Sequence, residues 1–225
     1  MASINGISVK KLTHFLGHEG EDLYQGSLYL NNKKIGFWSQ DSWGGPDRFL
    51  LDSKYGEKLL NDAVIALNPD KAIHSSTHEK SYTVPYDLEL LLNDYLALKE
   101  DEKAFQTAVK SGYKGVLIAS DGFHQAIWSL PEAYSKMSDG ELRKELNTQI
   151  ENARSGFLKE TPYHQHTIKI YRTPADFTVG EPIKIQSILS KKPLNSIISQ
   201  AETQNASQSE SRAHSESMEK SDPEL

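Results

Sequence analysis

Apolar and polar residues alternate with period two along much of the N-terminal third, and this pattern predicts strands. The segment from Ile4 to Thr13, the run "LYQGSLYL" from Leu23 and the run "KIGFWSQD" from Lys34 each place alternate side chains on opposite faces. Asn31-Asn32 joins the last two, and asparagine tolerates the positive φ that a tight primed hairpin turn requires. The expectation for residues 1–52 is an antiparallel β-meander.

The period then changes. Leu59, Leu60, Ala63, Val64 and Leu67 form one apolar face at helical spacing, and Asn68-Pro69 ends it. After a polar loop, Pro85 opens a longer helix carrying Leu88, Leu91, Leu92, Tyr95 and Leu96. The acidic run Glu100 to Glu102 is expected to break this helix before Phe105, and Gly112 to cap its end. "YKGVLIASDGFHQAIWSL" reads as a hairpin turning at Asp121-Gly122. Ser138 and Glu141 form a capping box ahead of Leu142, Leu146 and Ile150, which predicts a helix running toward Gly156. "HTIKIY" and "EPIKIQ" alternate as a closing pair of strands, with a break at Gly180-Glu181-Pro182.

These elements define an α+β chain: an N-terminal antiparallel meander, two to three helices, a central β-hairpin and C-terminal strands. A second region, 53–190, is expected to pack on the first. No internal repeat or alternating βαβ series is present, which argues against a doubly wound parallel sheet. From Lys191 the chain is rich in Ser, Gln and Glu with almost no aromatic residues. Such a segment buries too little apolar surface to offset its ordering entropy, so 191–225 is expected to be a disordered tail.

Composition narrows the chemistry. The net charge of −6 argues against stable direct DNA binding and favours a basic partner. With no cysteine, thiol nucleophiles, thiolate zinc sites and disulfides are excluded together. No signal-peptide-like run and no stretch near the roughly twenty apolar residues of a membrane span is present, so the expected location is the cytoplasm and no membrane is involved. The phosphate-loop, dinucleotide, nucleophile-elbow and H-E-x-x-H signatures are all missing. No cofactor is expected.

Histidines supply the remaining catalytic and metal candidates. His74 and His78 lie four apart beside Glu79, a spacing that aligns two imidazoles on a helix, although the Ser-Ser-Thr between them favours a loop. His124 follows the Asp121-Gly122 turn, where Asp121 can tune it. His164 and His166 alternate about 7 Å apart on one strand face and could bracket a metal. For each the competing reading is ordinary polar surface. His14 and His18 flank Gly17, which ends the first strand and separates them.

The densest cluster is "FWSQDSWGGPDRF". Two of the chain's three tryptophans stand five residues apart before a Gly44-Gly45-Pro46 bend. On one reading Phe37 packs inward, Trp38 covers the opposite side and Trp43 pins the bend. On the other, Trp43 is an exposed anchor among Gln40, Asp41, Asp47 and Arg48, held by a stiff loop that loses little entropy on docking. The two readings coexist if Trp38 is structural and Trp43 binds a partner.

The run "INGISVKK…GHEGEDLYQGSLYLNNKKIGFWSQDSWGGPD", covering roughly the first fifty residues, resembles small proteins carried by plasmids, phages and integrative elements of Gram-positive bacteria. Some of these are similar to anti-CRISPR proteins acting on type II, single-effector systems. The resemblance implies an inhibitor of an RNA-guided DNA-cutting effector in the host cytoplasm. Such an inhibitor interferes with guide RNA loading or integrity through contact with the effector or its guide complex. None of that family's catalytic residues matches a position here. Two other classes remain open: a metal- or histidine-dependent nuclease or hydrolase of a mobile element, and a non-catalytic accessory interaction protein.

Overall fold

The structure is a computed structural model that describes residues 1–52, 54–76, 81–120, 125–160 and 167–184. Its first part is the meander: β1 (Ser3–Ile4), β2 (Ile7–Leu16), β3 (Asp22–Leu30), β4 (Lys33–Ser39) and β5 (Arg48–Leu51) are antiparallel in succession. The expected first strand is divided at Asn5-Gly6, where both residues take positive φ. Asn31 and Asn32, at φ 48 and 64, form the primed turn between β3 and β4. β11 (Thr178–Val179) returns from the far end of the chain and pairs parallel with β1, giving the order β11-β1-β2-β3-β4-β5.

One face of this sheet is core. Ile7, Val9, Leu28, Leu30 and Trp38 are buried there, facing α1 (Glu57–Leu67) through Leu60 and Val64 and α2 (Leu88–Lys110) through Leu88, Leu91, Leu92 and Tyr95. The Tyr95 hydroxyl donates to the Val9 carbonyl at 2.8 Å, so helix and sheet are joined by a polar bond inside the apolar layer. Gly36 is required by the pairing: a Cβ there would stand 2.3 Å from the Leu50 carbonyl oxygen. The Asn68 side chain donates to the Val64 carbonyl at 2.8 Å, which closes α1 where the sequence predicts its end.

α2 does not break at the acidic run. Asp101 and Glu102 are buried, 1% and 4% exposed, yet the helix continues because partners arrive to meet them. The Asp101 Oδ2 accepts from Lys169 Nζ at 3.1 Å and from the Tyr171 hydroxyl at 2.7 Å, while Lys99 pairs with Glu102 one turn away. Gly112, at φ 90, follows the helix end.

The second part is a three-stranded antiparallel sheet, β10-β8-β9, in which β8 (Val116–Ser120) lies between β9 (Gln125–Ser129) and β10 (Thr167–Tyr171). Being central, β8 buries both faces. Leu117 joins Leu130, Leu142, Leu146 and Ile150 in a compact apolar cluster, with Trp128, Ile168 and Ile170 packed against it. The capping box at Ser138 and Glu141 is formed, but the predicted helix is two, α4 (Asp139–Glu145) and α5 (Asn147–Glu160), separated at Leu146. With the one-turn α3 (Glu132–Ser135) this makes five α-helices among the described residues, where the periodicity predicts two to three.

Two further expectations are corrected. The segment expected to be a polar loop before Pro85 contains a paired ribbon, β6 (Ile73–Ser76) with β7 (Ser81–Val84), because the backbone groups there find partners in each other. Glu181–Lys184 of the expected strand "EPIKIQ" is not in a strand. Pro182 has no N–H to give a ladder, and the turn asparagines take the neighbouring groups instead. Asn5 Nδ2 donates to the Glu181 carbonyl at 2.9 Å and Asn31 Nδ2 to the Ile183 carbonyl at 2.7 Å. The described residues from Met1 to Lys184 belong to one compact unit. The segment 185–225, including the expected tail, lies outside the described residues.

Candidate functional site

In an up-and-down meander alternate connections emerge at the same end, so the β2–β3 turn and the β4–β5 loop lie side by side, opposite Asn31-Asn32. The His18 amide donates to the Ser42 carbonyl at 2.9 Å, and the His18 and Trp43 rings stack with centroids 4.0 Å apart and planes 25° from parallel. Trp43 is 73% exposed. The pair forms a flat aromatic platform at the end of the sheet.

The two indoles of the motif have separate roles. Trp38 is completely buried on the core face, and its Nε1 donates to Asp47 Oδ2 at 2.7 Å. Asp47 thereby fixes the base of the loop, and its amide reaches toward Glu89 Oε1 of α2 at 3.4 Å. Burial pushes the Asp47 carboxyl up to about 6; the Trp38 hydrogen bond opposes the rise, and Glu89 and Asp87 add to it. Phe37 points to the opposite, outer face and is partly exposed.

The loop itself is held by Asp41. Its Oδ1 accepts from the Trp43 amide at 2.7 Å, and its Oδ2 accepts from Arg48 Nε at 3.2 Å and Nη2 at 2.8 Å. The Trp43 amide and the Arg48 guanidinium hold the Asp41 carboxyl below the usual carboxylate range. Gly44 adopts φ 73, which only glycine takes without strain, and turns the chain directly after the indole. Gln40 braces the other side: its Oε1 accepts from the Tyr24 amide at 2.9 Å, and its Nε2 reaches Asn93 of α2 at 3.4 Å.

The five predicted contact residues therefore divide. Trp43 and Arg48 offer exposed side chains, whereas Gln40, Asp41 and Asp47 are half-buried and spend their polar groups on shaping the loop. His18, which the sequence pattern does not connect with this cluster, is brought into it. The signal for that placement was the order of the meander, which puts the connection after β2 beside the one after β4. Near the platform are the His14–Asp22 pair at 2.9 Å and Leu16, 64% exposed.

The backbone of His74 pairs with Thr83 in the β6–β7 ribbon, and His78, His124, His164 and His166 lie outside the described residues. Among the described residues no group of three His, Asp or Glu side chains could hold a metal ion, and no helix is long and apolar enough to cross a membrane. No family model, curated protein or solved structure matches this chain.

Proposed function

We propose that the protein acts by docking on a macromolecular partner through the His18–Trp43 platform. We further propose that this partner is the RNA-guided DNA-cutting effector of a type II CRISPR system, which the protein inhibits by interfering with guide RNA loading or integrity. The observation that carries the docking reading is a 73% exposed indole, stacked on a second ring, on a loop whose shape Asp41 and Gly44 hold without a partner. A large aromatic group left in water costs the protein solvation free energy, and one presented rigidly regains it when covered, with little conformational entropy to lose.

The effector reading is supported by the resemblance of the first fifty residues and by charge. The chain carries −6, and effectors of this kind hold nucleic acid in a positively charged channel. Complementary charge speeds encounter, while an aromatic anchor slows release.

The test is a titration of the purified full chain against a purified type II effector, with guide RNA added before or after the protein, reading binding and DNA cleavage. The proposal expects cleavage to fall when the protein precedes the guide, and expects Trp43→Ala to restore it. Unimpaired cleavage in both orders would remove the effector as partner. Inhibition that Trp43→Ala leaves intact would remove the platform as the docking site. A parallel sample of naked guide RNA with and without EDTA tests the nuclease alternative, which metal-dependent cutting without effector would favour.

A further inference from the structure

The six-stranded sheet ends at β5, whose sequence is Arg-Phe-Leu-Leu followed by Asp52. The Asp52 amide donates inward to the Ile35 carbonyl at 2.8 Å. In an antiparallel ladder the residues bonding inward alternate with those bonding outward. Arg48, Leu50 and Asp52 therefore spend their backbone groups on β4, and the N–H and C=O of Phe49 and Leu51 point away from the sheet. No strand pairs with them among the described residues.

Natural edge strands are protected by lysine, proline, inward charge or a bulge. The four residues of β5 contain no proline or lysine, and their pairing with β4 is free of register shifts. The strand also presents an apolar row. Leu50 is 73% exposed and lies across from Phe37, itself 36% exposed, on the outer face of the sheet. These two residues make a small hydrophobic patch that runs to the free edge and stops there.

We infer that β5 is the seam of a two-fold symmetric dimer, in which a second copy of this chain adds its own β5 antiparallel and extends the sheet across both molecules. The register follows from the edge chemistry. Centring the axis on Leu50 pairs Phe49 with Leu51 of the second copy in both directions. Those are the residues whose backbone groups are free, and the two pairs exchange about four N–H···O bonds. The same register sets Arg48 against Asp52 of the other copy at each end of the seam. Arg48 gives two of its guanidinium nitrogens to Asp41, leaving Nη1, and its side chain is 71% exposed; Asp52 is exposed and has no side-chain partner among the described residues. Arg48, Leu50 and Asp52 share the outer face, so opposite charges flank a Leu50–Leu50 contact bordered by Phe37 on both sides.

A second copy fits this edge better than an unrelated strand because the segment is complementary to its own reversal: basic at one end, acidic at the other, leucine in the middle. Such self-complementarity is what an isologous interface requires. Moving the axis by one residue places Leu50 opposite Arg48 and loses both charge pairs.

The absence of cysteine makes the register directly testable in the full chain. Leu50 would face its symmetry mate in a non-hydrogen-bonded pair with Cα atoms about 4.5 Å apart, within disulfide reach. The two Asp52 residues would lie about 13 Å apart along the strands, beyond it. Under mild oxidation Leu50→Cys should become a covalent dimer and Asp52→Cys should not. Sedimentation of the wild-type chain should show a concentration-dependent dimer, and Asp52→Arg, which sets two cations face to face, should shift it to monomer with the melting temperature of the wild type at dilutions where both are monomeric. A wild-type chain that stays monomeric to high micromolar concentration would overturn the inference. So would a dimer that Leu50→Cys does not cross-link, or one that survives Asp52→Arg. Trp43 takes no part in this seam, so failure of the dimer leaves the docking proposal standing, and the reverse also holds.

Discussion

Replacing Asp47 by asparagine should make this protein more stable at neutral pH, although it removes a hydrogen-bonded carboxylate from the base of the candidate site. The carboxylate accepts from the Trp38 indole at 2.7 Å, and an asparagine oxygen can accept the same bond. What the substitution removes is charge. Asp47 sits half-buried beside Glu89 and Asp87, and burial pushes its carboxyl up to about 6 from an ordinary 3.8. A group whose folded value is raised binds its proton more tightly when folded, so stability falls as pH rises from about 4 through about 6 and levels off above that. The full gap between the two values corresponds to roughly 3 kcal/mol at 1.36 kcal/mol per pH unit. Solvent reaches half of the group and screens the penalty, which leaves about 1 kcal/mol. Urea unfolding of wild type and Asp47→Asn from pH 4 to pH 8 measures this: the variant should gain about 1 kcal/mol at pH 8 and converge with wild type near pH 4. A variant less stable than wild type at pH 8, or a difference that does not change with pH, would show that the ionised carboxylate is net stabilising where it stands.

Other perturbations separate platform from scaffold. Trp43→Ala should leave the melting temperature nearly unchanged and weaken partner binding by more than about 1 kcal/mol, read by calorimetry; a large melting loss with unaltered affinity would show that the ring is structural. Asp41→Ala frees the Trp43 amide and Arg48, so it should lower partner affinity by slowing association more than Trp43→Phe does, which stopped-flow fluorescence can resolve. Leu142→Ala empties the centre of the apolar cluster against β8 and should cost about 2 to 4 kcal/mol in chemical denaturation. Gly36→Ala drives a Cβ into the Leu50 backbone and should detach β5, seen as lost amide protection at Phe49 to Leu51.

Much of the fold is decided by short-range chemistry and was legible without coordinates. The meander follows from period-two alternation, the β3–β4 turn from asparagines that accept positive φ, the end of α1 from Asn68, and the start of α4 from a serine and a glutamate three residues apart. In each case the residues responsible lie within a few positions of the feature they cause. The separation of an indole for the core from an indole for the surface was legible only as a possibility, since alternation puts Trp38 and Phe37 on opposite faces without saying which face is covered.

Contacts across long sequence distances decided the rest. The acidic run in α2 would end an isolated helix, but Lys169 and Tyr171, some seventy positions later, bring a cation and a hydroxyl to Asp101 and make its burial tolerable. "EPIKIQ" alternates like a strand, yet side chains of Asn5 and Asn31 take the carbonyls of Glu181 and Ile183. His18 and Trp43 meet because two chain reversals return the backbone to the same end of the sheet. Local pattern determines what each segment prefers, because torsional preference and periodicity act over a few residues. Which buried charge is neutralised, and which rings share a surface, depends on groups that only the folded chain brings together.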